Sequence, residues 1–344
     1  MTRVLLAEDS AVTREYLTYL LGEDPGLEVV GCARDGLEAL EQAERLRPDL
    51  IVMDVHMPRM NGLEATRRIM ERVPTPIVIV SASVSRDEVA LTFEALQAGA
   101  LTVVEKPPGP GHPDQEAGTR RLLEAVRLMA EVKVVRRWPA RQRSRPPAAP
   151  APKQDRLIRV VAMAASTGGP QVIAEILGQL PARLGVPLLV VQHITPGFAG
   201  GLADWLGRMT PLTVKIAEAG EVLRAGSVYL GPSGFQLGVT RDDRIRLARG
   251  PAEGGFCPSA THLFRSVAEV YGQVAAGVLL SGMGQDGVAG LRQLRDAGGT
   301  TIAQDEETSV VFGMPGEAIR QGAAELVLSP DQIAAMLRAM TRAG

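Results

Sequence analysis

Cysteines are scarce in this chain of 344 residues, and neither sign of charge is in clear excess. The two cysteines, Cys32 and Cys257, lie far apart and outside any CxxC pattern. Their number and spacing argue against a disulfide scaffold or a cysteine zinc site and fit a reducing compartment. The formal net charge is −2, so no global field indicates nucleic acid or an anionic membrane as a partner.

Long hydrophobic runs are also lacking. No apolar stretch approaches the ~20 residues that a membrane-spanning helix needs, and the apolar run at residues 3–7 is interrupted by Glu8, too early for a signal-peptide core. We therefore expect a cytoplasmic protein that does not insert into a membrane. Hydrophobic residues make up 45% and charged residues 22%, as in ordinary globular proteins, and the length predicts two domains.

Short apolar runs alternate with stretches of helical spacing in two separate parts of the chain. Five such repeats in residues 1–125 predict a flavodoxin-like, doubly wound α/β domain. Residues 126–156 contain the end of a helix and a segment rich in Pro, Ala and Arg, which we interpret as a linker extended over 136–153. Residues 157–344 predict a second doubly wound, mostly parallel α/β domain with an antiparallel hairpin within residues 235–247.

Acidic residues stand at the ends of strands in the predicted N-terminal sheet. Glu8 and Asp9 follow the first strand, and Asp54 ends the third. Ligands bind at this edge of an open parallel sheet, and a divalent cation such as Mg²⁺ relieves the repulsion between converging carboxylates. Ser81 ends the fourth strand and Lys106 follows the fifth. A hydroxyl and a lysine beside a metal suit phosphoryl transfer onto a carboxylate, although any one acid alone is more simply a helix cap.

The N-terminal domain resembles the receiver domains of response regulators. The resemblance is carried by three segments, which are Leu6–Ser10, Met53–Gly62 and Glu105–Pro107. It implies that Asp54 is the phosphoacceptor and that Glu8, Asp9 and Asp54 hold the Mg²⁺ needed for phosphorylation. It also implies that Ser81 and Lys106 contact the phosphoryl oxygens.

One position departs from the receiver pattern. Receivers usually carry an aromatic residue where Val103 stands. The rotation of that ring cannot occur here, so the sequence leaves open how phosphorylation of Asp54 acts on the second domain.

A glycine-rich turn follows the first strand of the C-terminal domain. Ser166–Gly169 stands between that strand and a helix that is predicted to start near Pro170. Such a turn exposes the serine, and free N–H groups and the positive helix end point at an oxyanion. The turn lacks the first glycine of a G-x-S-x-G elbow, where Ala164 stands. Because glycine-rich turns also bind phosphate, the turn alone leaves both interpretations open.

A histidine and an aspartate follow two other strands of the same sheet. His193 ends the strand that comes next after Ser166, and Asp286 lies in the glycine-rich segment Ser281–Gly287. Each alone has an ordinary structural explanation, since Asp-Gly is a common turn. Together they predict a triad in which the histidine is the base for the serine and the aspartate orients the histidine.

Residues 157–344 resemble the catalytic domain of the CheB family of chemotaxis protein-glutamate methylesterases. The resemblance is carried by four segments, which are Ala165–Gly169, Gln192–Phe198, Ser281–Gly287 and Val311–Pro315. It implies that Ser166 is the nucleophile, His193 the general base and Asp286 its orienting acid, with no cofactor for the esterase reaction. From their loop positions, we expect the backbone N–H groups of Thr167 and Met283 to be the oxyanion donors.

The combined resemblance implies phosphorylation-regulated hydrolysis of glutamate γ-methyl esters on chemoreceptors, with deamidation of receptor glutamines at the same site. The implied partners are a histidine kinase of a chemosensory array and methylated receptor helices. An alternative is a phosphorylation-gated binding protein with an inactive esterase fold, in a chemosensory pathway unrelated to motility. A transcriptional regulator fits less well, because residues 157–344 show neither a helix-turn-helix nor a basic face.

Overall fold

The computed structural model describes residues 1–81, 86–132, 157–250 and 252–341, without the side chains of residues 86–90. The chain divides into two compact units, Met1–Arg143 and Ser144–Gly344. The predicted linker at 136–153 lies outside the described residues. None of the helices within those ranges is both long and apolar enough to cross a bilayer.

The first unit is built on a parallel sheet of five strands. In chain order its elements are β1 (Thr2–Ala7), α1 (Ala11–Gly22), β2 (Leu27–Ala33), α2 (Gly36–Leu46), β3 (Leu50–Asp54), α3 (Gly62–Arg72), β4 (Ile77–Ser81), α4 (Arg86–Ala98), β5 (Thr102–Glu105) and α5 (Gln115–Ala130). The strand order is β2-β1-β3-β4-β5. Every residue of β3 and β4 is buried, which explains why these strands are continuous apolar runs rather than alternating ones.

The second unit contains a parallel sheet of seven strands and a separate antiparallel pair. Its strands are β6 (Val160–Ala165), β7 (Leu188–Gln192), β8 (Thr213–Ile216), β9 (Ser227–Leu230), β10 (Gln236–Val239), β11 (Ile245–Ala248), β12 (Ala275–Leu279), β13 (Thr300–Gln304) and β14 (Leu326–Leu328). Its helices are α6 (Gly169–Gly178), α7 (Ala199–Met209), α8 (Ala260–Tyr271), α9 (Val288–Asp296), α10 (Met314–Arg320) and α11 (Pro330–Met340), with a 3₁₀ turn at Gly272–Val274. The sheet order is β14-β13-β12-β6-β7-β9-β8.

The order of the central strands positions the candidate site. Strand β6 lies between β12 and β7, and all three run parallel. The register pairs Ala165 with Gln192, so Ser166 and His193 leave their strands at the same level. Asp286 comes from the loop after β12, on the other side of β6. Three loops therefore meet at one edge of the sheet, as they do in open parallel sheets generally.

The observed architecture confirms the predicted fold class. The antiparallel pair β10–β11 matches the predicted hairpin at 235–247 and extends one residue beyond it, to Ala248. Two elements were not predicted, and both are short: β14 has three residues and α10 has seven. So few residues do not display a period from which strand or helix can be distinguished.

Candidate active site

The structure brings the three acidic residues of the first unit together at the carboxyl edge of its sheet. Glu8 and Asp9 follow β1 and Asp54 ends β3, and one carboxylate oxygen of each lies within 4.8 Å of the others. Glu8 and Asp54 are buried and Asp9 is exposed. Three carboxylates at this spacing are the type of donor set that a hard divalent cation such as Mg²⁺ binds.

Lys106 lies between two of these acids. Its Nζ is 2.7 Å from Glu8 Oε2 and 3.1 Å from Asp54 Oδ2. Burial raises the pKa of Glu8 and of Asp54 despite the opposing effect of the lysine. Burial alone would lower the pKa of Lys106, but the neighbouring charges of Asp54 and Glu8 outweigh it and raise that pKa. The lysine therefore remains charged and partly balances a buried acidic pair.

The other receiver positions lie on the two neighbouring strands. Ser81 ends β4 beside β3, and its side chain is buried. Its carbonyl accepts a hydrogen bond from the backbone N–H of Lys106 at 2.8 Å, which ties the lysine loop to the end of β4. Val103 is on β5 and half-buried, without the aromatic ring usual in receivers.

Two further residues shape this edge, of which Arg14 was not indicated by the sequence patterns and Gly62 ends the segment Met53–Gly62. Arg14 donates from Nη1 to the carbonyls of Glu8 and Asp9, at 2.7 and 3.1 Å, and so fixes the backbone of the acidic loop. Gly62 is the first residue of α3, and a Cβ added to it would lie 2.1 Å from the carbonyl oxygen of Asp54. Only glycine permits that approach.

The serine turn of the second unit connects β6 to α6. Gly168 precedes the helix with φ = 78°, a left-handed conformation that favours glycine. A Cβ on Gly169 would lie 2.3 Å from Gln192 Oε1, so this glycine is required by close packing. Ser166 is half-buried on a strand-to-helix turn whose helix has a proline in its first turn.

The loop after β12 packs directly against the serine. A Cβ on Gly282 would be 2.7 Å from Ser166 Cβ. The carbonyl oxygen of Ser281 accepts a hydrogen bond from the backbone N–H of Ser166 at 3.0 Å. The hydroxyl of Ser281 donates to the carbonyl oxygen of Thr167 at 2.8 Å. The same hydroxyl accepts the N–H of Val311 at 3.0 Å. Ser281 therefore joins three loops around the candidate nucleophile.

His193 is held beside this turn by its backbone and its ring. Its N–H donates to Ala165 O at 2.9 Å, and its Nε2 is 2.9 Å from Asp286 Oδ2. The buried Nδ1 has no hydrogen-bond partner among the described residues. An aspartate at Nε2 favours the tautomer with the proton there, so the lone pair on Nδ1 is available to take a proton. Over the described ranges, Ser166 Oγ itself forms no hydrogen bond.

Asp286 is the most strongly hydrogen-bonded group of the site. Besides His193, its carboxylate accepts from Ser259 Oγ at 2.8 Å and from the backbone N–H groups of Ala260, Thr261 and Gly287 at 2.7 to 3.0 Å. Three of these donors belong to the beginning of α8, where the helix dipole also favours a negative charge.

These contacts determine the pKa of Asp286. Burial alone would raise that pKa, but the hydrogen bonds and charge of His193 and the backbone donors outweigh it and lower the pKa to about 2. Because the pKa is lower in the folded protein, ionisation of Asp286 stabilises the fold, and this contribution is fully present at a pH above 3.8, the ordinary aspartate pKa. That contribution is lost as the pH falls toward about 2. Asp286 is therefore an anion near neutral pH.

The candidate oxyanion donors lie on the two loops that flank Ser166. Neither the N–H of Thr167 nor that of Met283 donates to another group in the described part of the chain. Met283 is also one of the large apolar residues left exposed, at 47%. Free donors near a nucleophile are what an oxyanion hole requires.

Gln192 and Ser259 hold the loops of the candidate triad, and the sequence analysis assigned neither of them this role. Gln192 donates from Nε2 to the carbonyls of Ser166 and His193, at 2.7 and 2.9 Å, which links the two loops. Ser259 caps α8 and donates to Asp286. Ser259 had a detectable signal, because a serine before a helix pattern indicates an N-cap.

Comparison with known proteins identifies the families to which the two units are similar. The family model described as CheB methylesterase matches residues 161–337, and the response regulator receiver domain matches residues 4–113. The chain is 52% identical to protein-glutamate methylesterase/protein-glutamine glutaminase 4 of Myxococcus xanthus, over 99% of this chain and 98% of that protein. It is 51% identical to protein-glutamate methylesterase/protein-glutamine glutaminase 1 of Syntrophus aciditrophicus, over 98% of this chain and 97% of that protein.

A solved structure is similar to the second unit. The Thermotoga maritima CheB methylesterase catalytic domain is 38% identical, with a TM-score of 0.51, and the match covers 52% of this chain and 97% of that domain. The matches together define a response regulator whose second domain is a methylesterase. The chain belongs to the CheB methylesterase family. The predicted fold class, family and enzyme class are confirmed, and the relatives do not favour the alternative of an inactive esterase fold.

Replacing Asp286 with asparagine should lower kcat for ester hydrolysis by about 10³–10⁴-fold. The amide has one acceptor oxygen for five donors, and its NH₂ favours the histidine tautomer with the proton on the wrong nitrogen. Steady-state hydrolysis of a methyl ester substrate measures the effect.

Asp242→Asn is the matched control, because Asp242 is an exposed aspartate of the same unit. It should leave kcat within about twofold. Activity of the Asp286→Asn variant within tenfold of the wild type would contradict the role given to the carboxylate.

Proposed function

We propose that the chain hydrolyses γ-methyl esters of glutamate side chains on chemoreceptors and deamidates receptor glutamines at the same site. The observation that carries this proposal is the hydrogen-bonded His193–Asp286 pair on the two loops that flank the loop of Ser166, with Nδ1 of the histidine unpaired. The names of the relatives, protein-glutamate methylesterase/protein-glutamine glutaminase, indicate the substrate.

The first half of the reaction forms an acyl-enzyme. Ser166 Oγ attacks the ester carbonyl while Nδ1 of His193 takes its proton. The imidazolium that forms is stabilised by Asp286, which remains ionised throughout. The N–H groups of Thr167 and Met283 stabilise the negative oxygen of the tetrahedral intermediate. His193 then returns its proton to the leaving oxygen, and methanol departs.

The second half regenerates the enzyme. Water attacks the acyl-enzyme as His193 takes one of its protons, and collapse of the second tetrahedral intermediate returns that proton to Ser166 Oγ. The product is a free glutamate side chain. A receptor glutamine enters the same sequence with ammonia as the leaving group, because both substrates form the same acyl-enzyme.

The first unit is proposed to regulate this activity through phosphorylation of Asp54. Glu8, Asp9 and Asp54 would hold Mg²⁺, which supplies positive charge to neutralise the transferred phosphoryl oxygens. Lys106 lies 3.1 Å from Asp54 Oδ2 and would pair with the same oxygens, as would Ser81 at the end of the neighbouring strand. Phosphorylation adds roughly two negative charges. Because Val103 is not aromatic, the coupling does not use the rotation of an aromatic ring at that position.

The family also indicates partners in general terms, namely a kinase for the receiver and a receptor for the esterase. We propose a histidine kinase of a chemosensory array and the methylated cytoplasmic helices of its receptors, which places the reaction in the cytoplasm. We further propose that the receiver occupies residues 1–125, that 126–156 is a helix end and linker, and that 157–344 is the catalytic domain.

Replacing Ser166 with alanine should reduce methanol release from a methylated chemoreceptor by about 10⁶-fold, to background. The variant lacks the only atom that forms the acyl bond. Methanol release by the full chain with a phosphodonor is measured, and Ser227→Ala, a serine on β9, should retain wild-type activity. Near-normal release by the Ser166→Ala variant would remove the serine assignment.

A small phosphodonor with Mg²⁺ should raise the rate of methanol release by the wild type and leave that of an Asp54→Asn variant unchanged. The amide cannot accept the phosphoryl group, but it preserves the shape of the residue. The ratio of rates with and without phosphodonor is the measurement. An equal increase in both proteins, or no increase in either, would contradict regulation through Asp54.

A further inference from the structure

The ring of Phe256 lies flat on the imidazole of the candidate base. The two ring centroids are 3.9 Å apart and the planes differ by 6°. We propose that Phe256 is a positioning residue for His193: it holds the imidazole in its reactive orientation and stabilises its charged form during turnover. This inference rests on the proposed esterase reaction and extends it to a residue outside the triad.

A tight turn presents the phenylalanine. Gly254 and Gly255 have φ = 61° and 91°, so both central residues of the turn are left-handed, as the type I′ turn of a two-residue hairpin requires. Glu253 and Phe256 flank them and exchange two backbone hydrogen bonds, at 3.0 and 3.1 Å. Consecutive glycines meet this requirement without strain, and the turn fixes the direction in which Phe256 leaves it.

The turn is attached to the elements that also carry the triad acid. Glu253 accepts two hydrogen bonds from Arg265 of α8, at 2.8 and 2.7 Å. Gln236 of β10 donates to the carbonyl of Phe256 at 3.1 Å and accepts the N–H of Ser259 at 2.8 Å. Ser259 in turn donates to Asp286. The phenylalanine and the aspartate are therefore positioned by one continuous network.

The stack restrains a motion that the hydrogen bond to Asp286 permits. A single hydrogen bond at Nε2 leaves the imidazole able to rock about that contact, which would change the direction in which Nδ1 points. A ring lying flat against one face opposes this motion and excludes water from that face. The side chain of His193 is accordingly 7% exposed. Small misplacements of a catalytic group are costly, so a restraint of this kind affects the rate.

The electronic character of the phenylalanine adds a second effect. The face of an aromatic ring carries negative charge density and attracts a cation. The imidazole becomes a cation only after it has taken the serine proton, so the attraction is stronger in the transition state than in the ground state. An interaction of this type changes kcat and leaves KM nearly unaltered.

Two substitutions of Phe256, assayed in the full chain with a phosphodonor, separate the effect of the aromatic face from the effect of side-chain size. Phe256→Leu keeps an apolar side chain without an aromatic face and should lower kcat for receptor methanol release about tenfold, with KM within about twofold. Phe256→Tyr keeps the face and should retain kcat within about twofold. Phe235→Leu is the matched control, because Phe235 stacks with Arg249 rather than with the base, and it should retain kcat.

A spectroscopic signal reports the stack independently of activity. Ring current from Phe256 should shift the carbon-bound ring protons of His193 upfield in the wild type and in Phe256→Tyr, and the shift should disappear in Phe256→Leu. An unchanged kcat in Phe256→Leu, or an equal loss of kcat in Phe256→Leu and Phe256→Tyr, would overturn the proposal. A wild type without methanol release would contradict the proposed function instead, and the position of the His193 resonances would then decide the inference alone.

Discussion

The carboxylate of Asp286 accepts five hydrogen bonds, and the rest of the catalytic unit is arranged around that contact. A buried anion is stable only when its charge is compensated. Here the beginning of α8, the hydroxyl of Ser259 and the ring of His193 compensate it together. The bond from Asp286 to Nε2 also leaves Nδ1 as the unpaired ring nitrogen of His193. Stability and reactivity at this site therefore have the same physical origin.

Both units place their reactive groups by the same geometric rule. Parallel strands end at a common edge, so residues distant in sequence meet there. In the first unit this brings Glu8, Asp54 and Lys106 within hydrogen-bonding distance. In the second unit it brings the turns after β6, β7 and β12 together, and glycine at position 282 allows the last of them to touch Ser166. The rule explains why both sites depend on close backbone approach.

Much of the fold was predictable from the sequence, because short apolar runs and helical spacing report burial directly. The short elements β14 and α10 were missed, since three and seven residues do not show a period. The residues that hold the triad were also missed. Gln192 and Ser281 lie in the segments that carry the family resemblance, but their hydrogen bonds to neighbouring loops depend on strand order, which the sequence does not display. Phe256 similarly has no local pattern that indicates a stack on His193.

Covalent labelling with a fluorophosphonate, followed by peptide mass spectrometry, tests the central claim most directly. Such a reagent reacts with a serine only when a base activates it. The account predicts a single adduct on Ser166 in the wild type and its loss in a His193→Ala variant. An adduct on another serine, or labelling of Ser166 that persists without His193, would contradict the proposed arrangement of nucleophile and base.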